Sequence, residues 1–233
     1  MLARSAARPV LATLVVCLAV IQSPPSAQAP TAGPLVVAPA GGGNPQVFVI
    51  EGTTTRTIQA YDPNFIGGVN ATLGDVNGDG TMDIITGAGP GGGPHVIVLN
   101  GTDLSYLASF FAYDPAFTGG VTVAAGDLDG DGRAEVITGA GRGGGPHVRA
   151  FRIEATPIEV ASFYAYDPRF IGGVTVAAGD VDGDGVSEII TGAGPGGGPH
   201  VRVISGTTTP VEVASFFAYE PAFPGGVRVA AGD

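Results

Sequence analysis

From residue 35 onward the apolar residues fall in short runs that alternate with polar ones and stop at Gly, Pro, Asn or Asp. Val174-Thr-Val-Ala-Ala is one such run. Ser187 to Thr191, His200-Val-Arg-Val-Ile and Val211 to Tyr219 follow it, the last with Ala214, Phe216 and Ala218 on one face. Alternation puts every second side chain on the same side of an extended chain, so each run predicts a strand. No stretch beyond the first 29 residues repeats its apolar positions at a helical period, and β-branched residues fill the runs. The pattern predicts an all-β protein.

The same set of runs recurs. Phe117 to Val148 reads FTGGVTVAAGDLDGDGRAEVITGAGRGGGPHV, Phe170 to Val201 reads FIGGVTVAAGDVDGDGVSEIITGAGPGGGPHV, and Phe65 to Val96 is a more divergent copy. Asp75, Asp127, Asp180 and Asp233 mark the same place in each, separated by 52, 53 and 53 residues. Four antiparallel strands per repeat of this length form the pattern of a β-propeller blade. Leu35-Val-Val-Ala-Pro and Gly41 to Val49 match the second and third strands of a repeat, Thr57 to Tyr61 the fourth, and Gly226 to Gly232 the first. Residues 35–233 therefore predict a β-propeller of four-stranded blades, three full and a fourth split between the ends. Two readings of the split stand: the ends pair and close a four-bladed ring, or the chain is a truncated larger propeller.

Between the first and second strands of each full repeat lies an acidic loop. Asp75, Asn77, Asp79 and Asp83 form the first, Asp127, Asp129, Asp131 and Glu135 the second, Asp180, Asp182, Asp184 and Glu188 the third. Oxygen side chains thus fall at positions 1, 3, 5 and 9, with Gly at 6. Calcium takes six to eight oxygens at about 2.3–2.6 Å, and alternate residues of a tight loop can face inward together. The backbone carbonyl at position 7, from Thr81, Arg133 or Val186, is a natural further ligand. The expectation is about three calcium ions, one per loop. The loops match an EF-hand only in their first half, since position 12 is Thr86, Thr138 or Thr191 and strands flank them.

The Phe-x-Gly-Gly segments at Phe65, Phe117 and Phe170, the acidic loops, and Thr-Gly-Ala-Gly-(Pro/Arg)-Gly-Gly together resemble FG-GAP (VCBS-type) repeats, as in the propeller of integrin alpha subunits. The resemblance covers nearly all of residues 35–233. It implies calcium bound structurally on one face of a propeller, with the acidic loops named above as ligands. Propellers of that family usually have about seven blades, and nothing outside the repeats supplies the rest of an adhesion receptor.

Composition refines this. Gly and Pro number 40 and 19, but 44% of residues are hydrophobic and only 13% charged, which argues for a turn-rich compact fold over disorder. The ten cations are all Arg, set against 21 acids for a net charge of -11. That excludes nucleic acid as an expected partner. Arg4, Arg8, the apolar run Val10 to Ile21 and Ala27-Gln28-Ala29 mark residues 1–29 as a secretory signal peptide, with 30–34 a short linker. The expectation is a secreted or extracellular protein, the periplasm or a cell surface being open, without membrane insertion once the leader is removed. The one cysteine, Cys17, lies in the leader, so no disulfide is expected.

Other constellations point less far. Gly87-Ala-Gly89-Pro-Gly-Gly92 satisfies GxGxxG, but Pro94-His95-Val96 opens a strand where a dinucleotide site needs a helix. His95, His147 and His200 recur at one place in each repeat, and a structural role is expected of them over a shared metal. The aromatic runs from Phe110, Phe163 and Phe216 read as core between blades. No catalytic residue is expected. The functional expectation is a calcium-binding propeller that engages an extracellular protein or glycan. The alternatives are a polysaccharide-acting enzyme on a propeller scaffold and an inactive fragment of a larger FG-GAP protein.

Overall fold

The computed structural model describes residues 33–206 and 209–231, so the leader expected over residues 1–29 and the acidic residue Asp233 lie outside the described residues. The first sheet holds β1 (Leu35–Val37), β2 (Gln46–Glu51) and β3 (Thr54–Gln59). The second holds β4 (Val69–Gly74), β5 (Asp83–Ala88), β6 (His95–Leu99) and β7 (Tyr106–Phe111). The third holds β8 (Val121–Gly126), β9 (Glu135–Ala140), β10 (His147–Arg152) and β11 (Ile158–Tyr164). The fourth holds β12 (Val174–Gly179), β13 (Glu188–Ala193), β14 (His200–Ser205) and β15 (Val211–Phe217). Neighbours in sequence pair antiparallel throughout, as in the blades of a β-propeller.

Repetition extends to the irregularities. The register slips at equivalent places in the outer pairs, between Val98 and Leu99, Ala150 and Phe151, and Val203 and Ile204. Each slip accommodates one extra residue and increases local twist. The first strands β4, β8 and β12 lie against one another. Asn70 Nδ2 donates to the Val121 carbonyl at 2.8 Å, Thr122 Oγ1 to Val174 at 3.0 Å and Thr175 Oγ1 to Val227 at 3.0 Å. Approach there is close: a Cβ on Gly74 would come within 2.5 Å of the Ala125 methyl, and one on Gly126 within 2.8 Å of Ala178.

The core is built between sheets. Val47, Val49 and Ile58 meet Ile84, Ile97 and Leu99 between the first and second. Val96, Val98 and Val121 meet Phe151 and Ile153 between the second and third, and Ile137 and Val148 meet Val174 and Ile189 between the third and fourth. Burying each such side chain contributes about 1.5–3 kcal/mol. The aromatic runs do pack between sheets, Phe110 lying 4.9 Å from Phe151. Phe216 differs, being 51% exposed on the free outer face of the fourth sheet.

A tyrosine latches each sheet to the next. Tyr113, just past β7, donates its hydroxyl to the His147 carbonyl at 2.8 Å, with the Thr138 hydroxyl 3.2 Å away. Tyr166 repeats this with His200 at 2.8 Å, and Tyr61 with His95 at 3.0 Å. Thr86, Thr138 and Thr191, the residues at position 12 of the loops, are fully buried to meet these hydroxyls. Burial pushes the Tyr166 phenol up to about 12 and raises Tyr61 and Tyr113 likewise, so all three remain donors.

Residues 227–231 occupy the place beside β12 that a further first strand would take, with the Val227 amide donating to the Ala193 carbonyl at 2.9 Å. Among the described residues they form no strand, and no pairing joins them to β1. The ring-closing pairing of the two ends is thus not made. A first strand gains its ladder from a second, and here none lies alongside.

Candidate metal centre

Each acidic loop joins the first strand of a four-stranded sheet to the second, so all three project from the same end of their sheets. Position 1 organises the loop. Asp75 Oδ1 accepts the amides of Gly78 at 2.8 Å and Asp79 at 3.1 Å, and its Oδ2 accepts Gly80 at 2.8 Å. Asp127 does the same for Gly130, Asp131 and Gly132, and Asp180 for Gly183, Asp184 and Gly185. The glycines at position 6 hold φ at 82°, 85° and 91°, a left-handed turn that a side chain would strain. Position 5 accepts the amide of position 7, as Asp79 does from Thr81 at 2.8 Å and Asp184 from Val186 at 2.8 Å. Asp131 holds Arg133 at 2.9 Å in the same way.

The third loop brings one oxygen each of Asp180, Asp182 and Glu188 within 4.8 Å of one another, and the second does so with Asp127, Asp129 and Asp131. Among the described residues the first loop gathers no such triple. Asn77 stands at its third position, and its amide nitrogen donates to Asp79 at 3.0 Å. Position 9 begins the second strand and is buried in every loop, at Asp83, Glu135 and Glu188. Burial raises Asp83 and Glu135 above the usual carboxylate range, whereas amide donors hold Asp79 and Asp180 below it. Glu188 Oε2 accepts the Val181 amide at 2.9 Å, while Oε1 is buried with no hydrogen-bond partner. An orphaned carboxylate oxygen beside two further acids has the chemistry a hard cation satisfies. The donors are all oxygen, which suits calcium.

Successive loops are also joined. The Ala134 amide donates to the Asp75 carbonyl and the Ser187 amide to the Asp127 carbonyl, both at 2.7 Å. Arg133, expected only as a carbonyl ligand, sends its guanidinium to the Val76 carbonyl at 3.2 Å and the Ile153 carbonyl at 2.9 Å. Sequence reasoning missed Arg152, whose side chain bonds Asp129 and lies 3.5 Å from Glu135 Oε1. Aligning the repeats would have found it, because Arg152 stands where the neighbouring copies have Asn100 and Ser205.

The three histidines do not converge. His95 Nε2 bonds Ser109 Oγ at 2.9 Å, His147 bonds Ser162 at 2.9 Å and His200 bonds Ser215 at 2.8 Å, each within its own sheet. The GxGxxG segments begin in the last two residues of β5, β9 and β13 and continue into the turns that lead to β6, β10 and β14.

Comparison with known proteins agrees with the repeat, the loops and the sheets. The model of the FG-GAP repeat matches residues 119–150 and 172–207. This is a chain of FG-GAP repeats, similar to integrin alpha subunits. Integrin alpha-5 of Xenopus laevis is 31% identical over 66% of this chain and 16% of its own length. Integrin alpha-8 of Gallus gallus is 28% identical over 57% of this chain and 14% of its own length. The FG-GAP chain thus spans less than a fifth of these relatives. Among solved structures, an exotype rhamnogalacturonan lyase matches 77% of this chain and 42% of its own with a TM-score of 0.49 and 13% identity, too distant to speak to function.

Proposed function

We propose that this FG-GAP chain is an exported, non-catalytic interaction module whose propeller is stabilised by calcium at its acidic loops. It would engage a protein or glycan through the face opposite those loops. The observation that carries the calcium reading is the buried, unpartnered Oε1 of Glu188 beside Asp180 and Asp182. Bound ions would be held by Asp180, Asp182, Asp184, Glu188 and the Val186 carbonyl, and by the matching residues of the other loops. Their role is to neutralise clustered carboxylates; no step of chemistry is asked of them.

The opposite end of the sheets carries a cavity of about 460 Å³. Glycine backbone lines it together with Asn70, Thr122, Thr175, Arg142 and Arg228. Exposed amides, carbonyls and hydroxyls suit hydrogen-bonding partners such as glycans or peptide backbone. The non-catalytic reading is supported by the commitment of 11 of the 21 acids to the loops and of each His to a Ser in its own sheet.

Calorimetric titration of the full chain with calcium tests the metal reading. Saturable uptake is expected, and a double variant Asp180→Asn, Asp182→Asn should bind one ion fewer. Equal uptake by that variant and the wild type would remove the third loop from the reading.

A further inference from the structure

The loops share a backbone but differ in what faces the buried carboxylate at position 9. In the first, Asp83 Oδ2 accepts the Val76 amide at 3.0 Å and Oδ1 the Gly101 amide at 2.9 Å. In the third, Glu188 has one oxygen on Val181 and the other free. In the second, Glu135 Oε2 accepts the Leu128 amide at 2.9 Å, and Oε1 faces Arg152 Nε at 3.5 Å. The same guanidinium donates to Asp129 Oδ2 and lies 3.9 Å from Asp131. One arginine therefore reaches three of the four acids that would bind an ion there. It does so from the end of β10, where the equivalent residues Asn100 and Ser205 carry no charge.

Resting on the reading of these loops as calcium sites, we propose that Arg152 is a resident counter-cation of the second loop. It holds Asp129, Asp131 and Glu135 together without metal, and it competes with calcium for the same oxygens. The guanidinium and an ion cannot both contact Asp129 Oδ2 and Glu135 Oε1 at bonding distance. Apparent affinity is then lowered by the fraction of time the arginine is out. Its side chain is 31% exposed, so it can swing to solvent when an ion enters. The second loop is accordingly ordered whether or not calcium is bound, and it fills after the third. The third loop, with four acids and no arginine, fills first.

Calcium titration of the full chain tests this with three variants. Arg152→Ser copies the residue of the last repeat, and Arg152→Met keeps the aliphatic stem should packing matter. Arg169→Ser removes an equal charge from a residue 91% exposed and paired with Asp167, away from the loops. Wild type should bind one ion at least about tenfold more weakly than the tightest. Both Arg152 variants should shift that ion into the tighter class, and Arg169→Ser should leave the pattern as it is. Unchanged affinities in the Arg152 variants, or equivalent ions in wild type, overturn the role of Arg152 alone. No uptake by any form overturns the calcium reading along with it.

Discussion

His95, His147 and His200 each lie against a tyrosine of the preceding sheet and an aromatic ring of their own sheet, with centroids 4.7–5.7 Å apart. Burial holds each imidazole below its ordinary pKa; Arg149 and Arg202 push His147 and His200 further down, and Glu159 and Glu212 oppose them. A histidine depressed in the fold binds its proton less readily than in the unfolded chain. Between the folded value and the ordinary one near 6.5, the unfolded chain holds more protons, so stability falls as pH falls. In saturating calcium, which keeps the loop carboxylates charged, the melting midpoint should drop between about pH 7.5 and about pH 5.5. Replacing all three by Gln, the residue that the first sheet carries at Gln46, should flatten that slope. A slope identical in the variant would show that other groups set it. The repeated histidines were legible in the sequence, but their serine partners were not. His95 and Ser109 are 14 apart and His147 and Ser162 are 15, because the outer hairpins differ in length.

Apolar packing runs between the sheets from inner to outer strands, hydrogen bonds from Asn70, Thr122 and Thr175 join the first strands, and the tyrosine latch ties the end of each outermost strand to the next sheet. Tyr113→Phe removes a buried donor and strands the His147 carbonyl, at a cost of about 1–3 kcal/mol. Tyr219, at the same place after β15, is 63% exposed and among the described residues makes no hydrogen bond across a sheet boundary, so Tyr219→Phe should cost nearly nothing. Denaturant midpoints of the two variants test the latch, and equal losses would dismiss it. Strands such as β2 and β10 were readable from alternation because they bury one face more than the other, whereas β5 and β9 are buried on both faces and were readable from their β-branched residues and flanking turns. Residues 227–231 were not, since their sequence matches a first strand but a strand requires a partner. The latch itself was hidden: a Tyr before Asp-Pro reads as core, and the Thr at position 12 reads as a failed calcium ligand, until sheet packing brings them together.

Across the molecule, 11 of the 21 acids sit in three loops on one end of the sheets, and backbone hydrogen bonds tie each loop to the next. Three divalent ions would offset 6 of the charges. The loop spacing was fully legible, because alternate oxygens separated by glycines dictate the turn. The inequality among loops was not, because it depends on Arg152 and Gly101, which arrive from the far hairpin of the same sheet. An ion that binds only the folded chain adds stability by mass action, about 1.4 kcal/mol per site at ten times its dissociation constant. The decisive measurement is a thermal melt of the full chain in millimolar calcium and again in excess chelator. A midpoint several degrees lower in chelator, restored by calcium, is the outcome expected of a calcium-clamped propeller. The same midpoint in both would mean that the acidic loops fold and hold without metal.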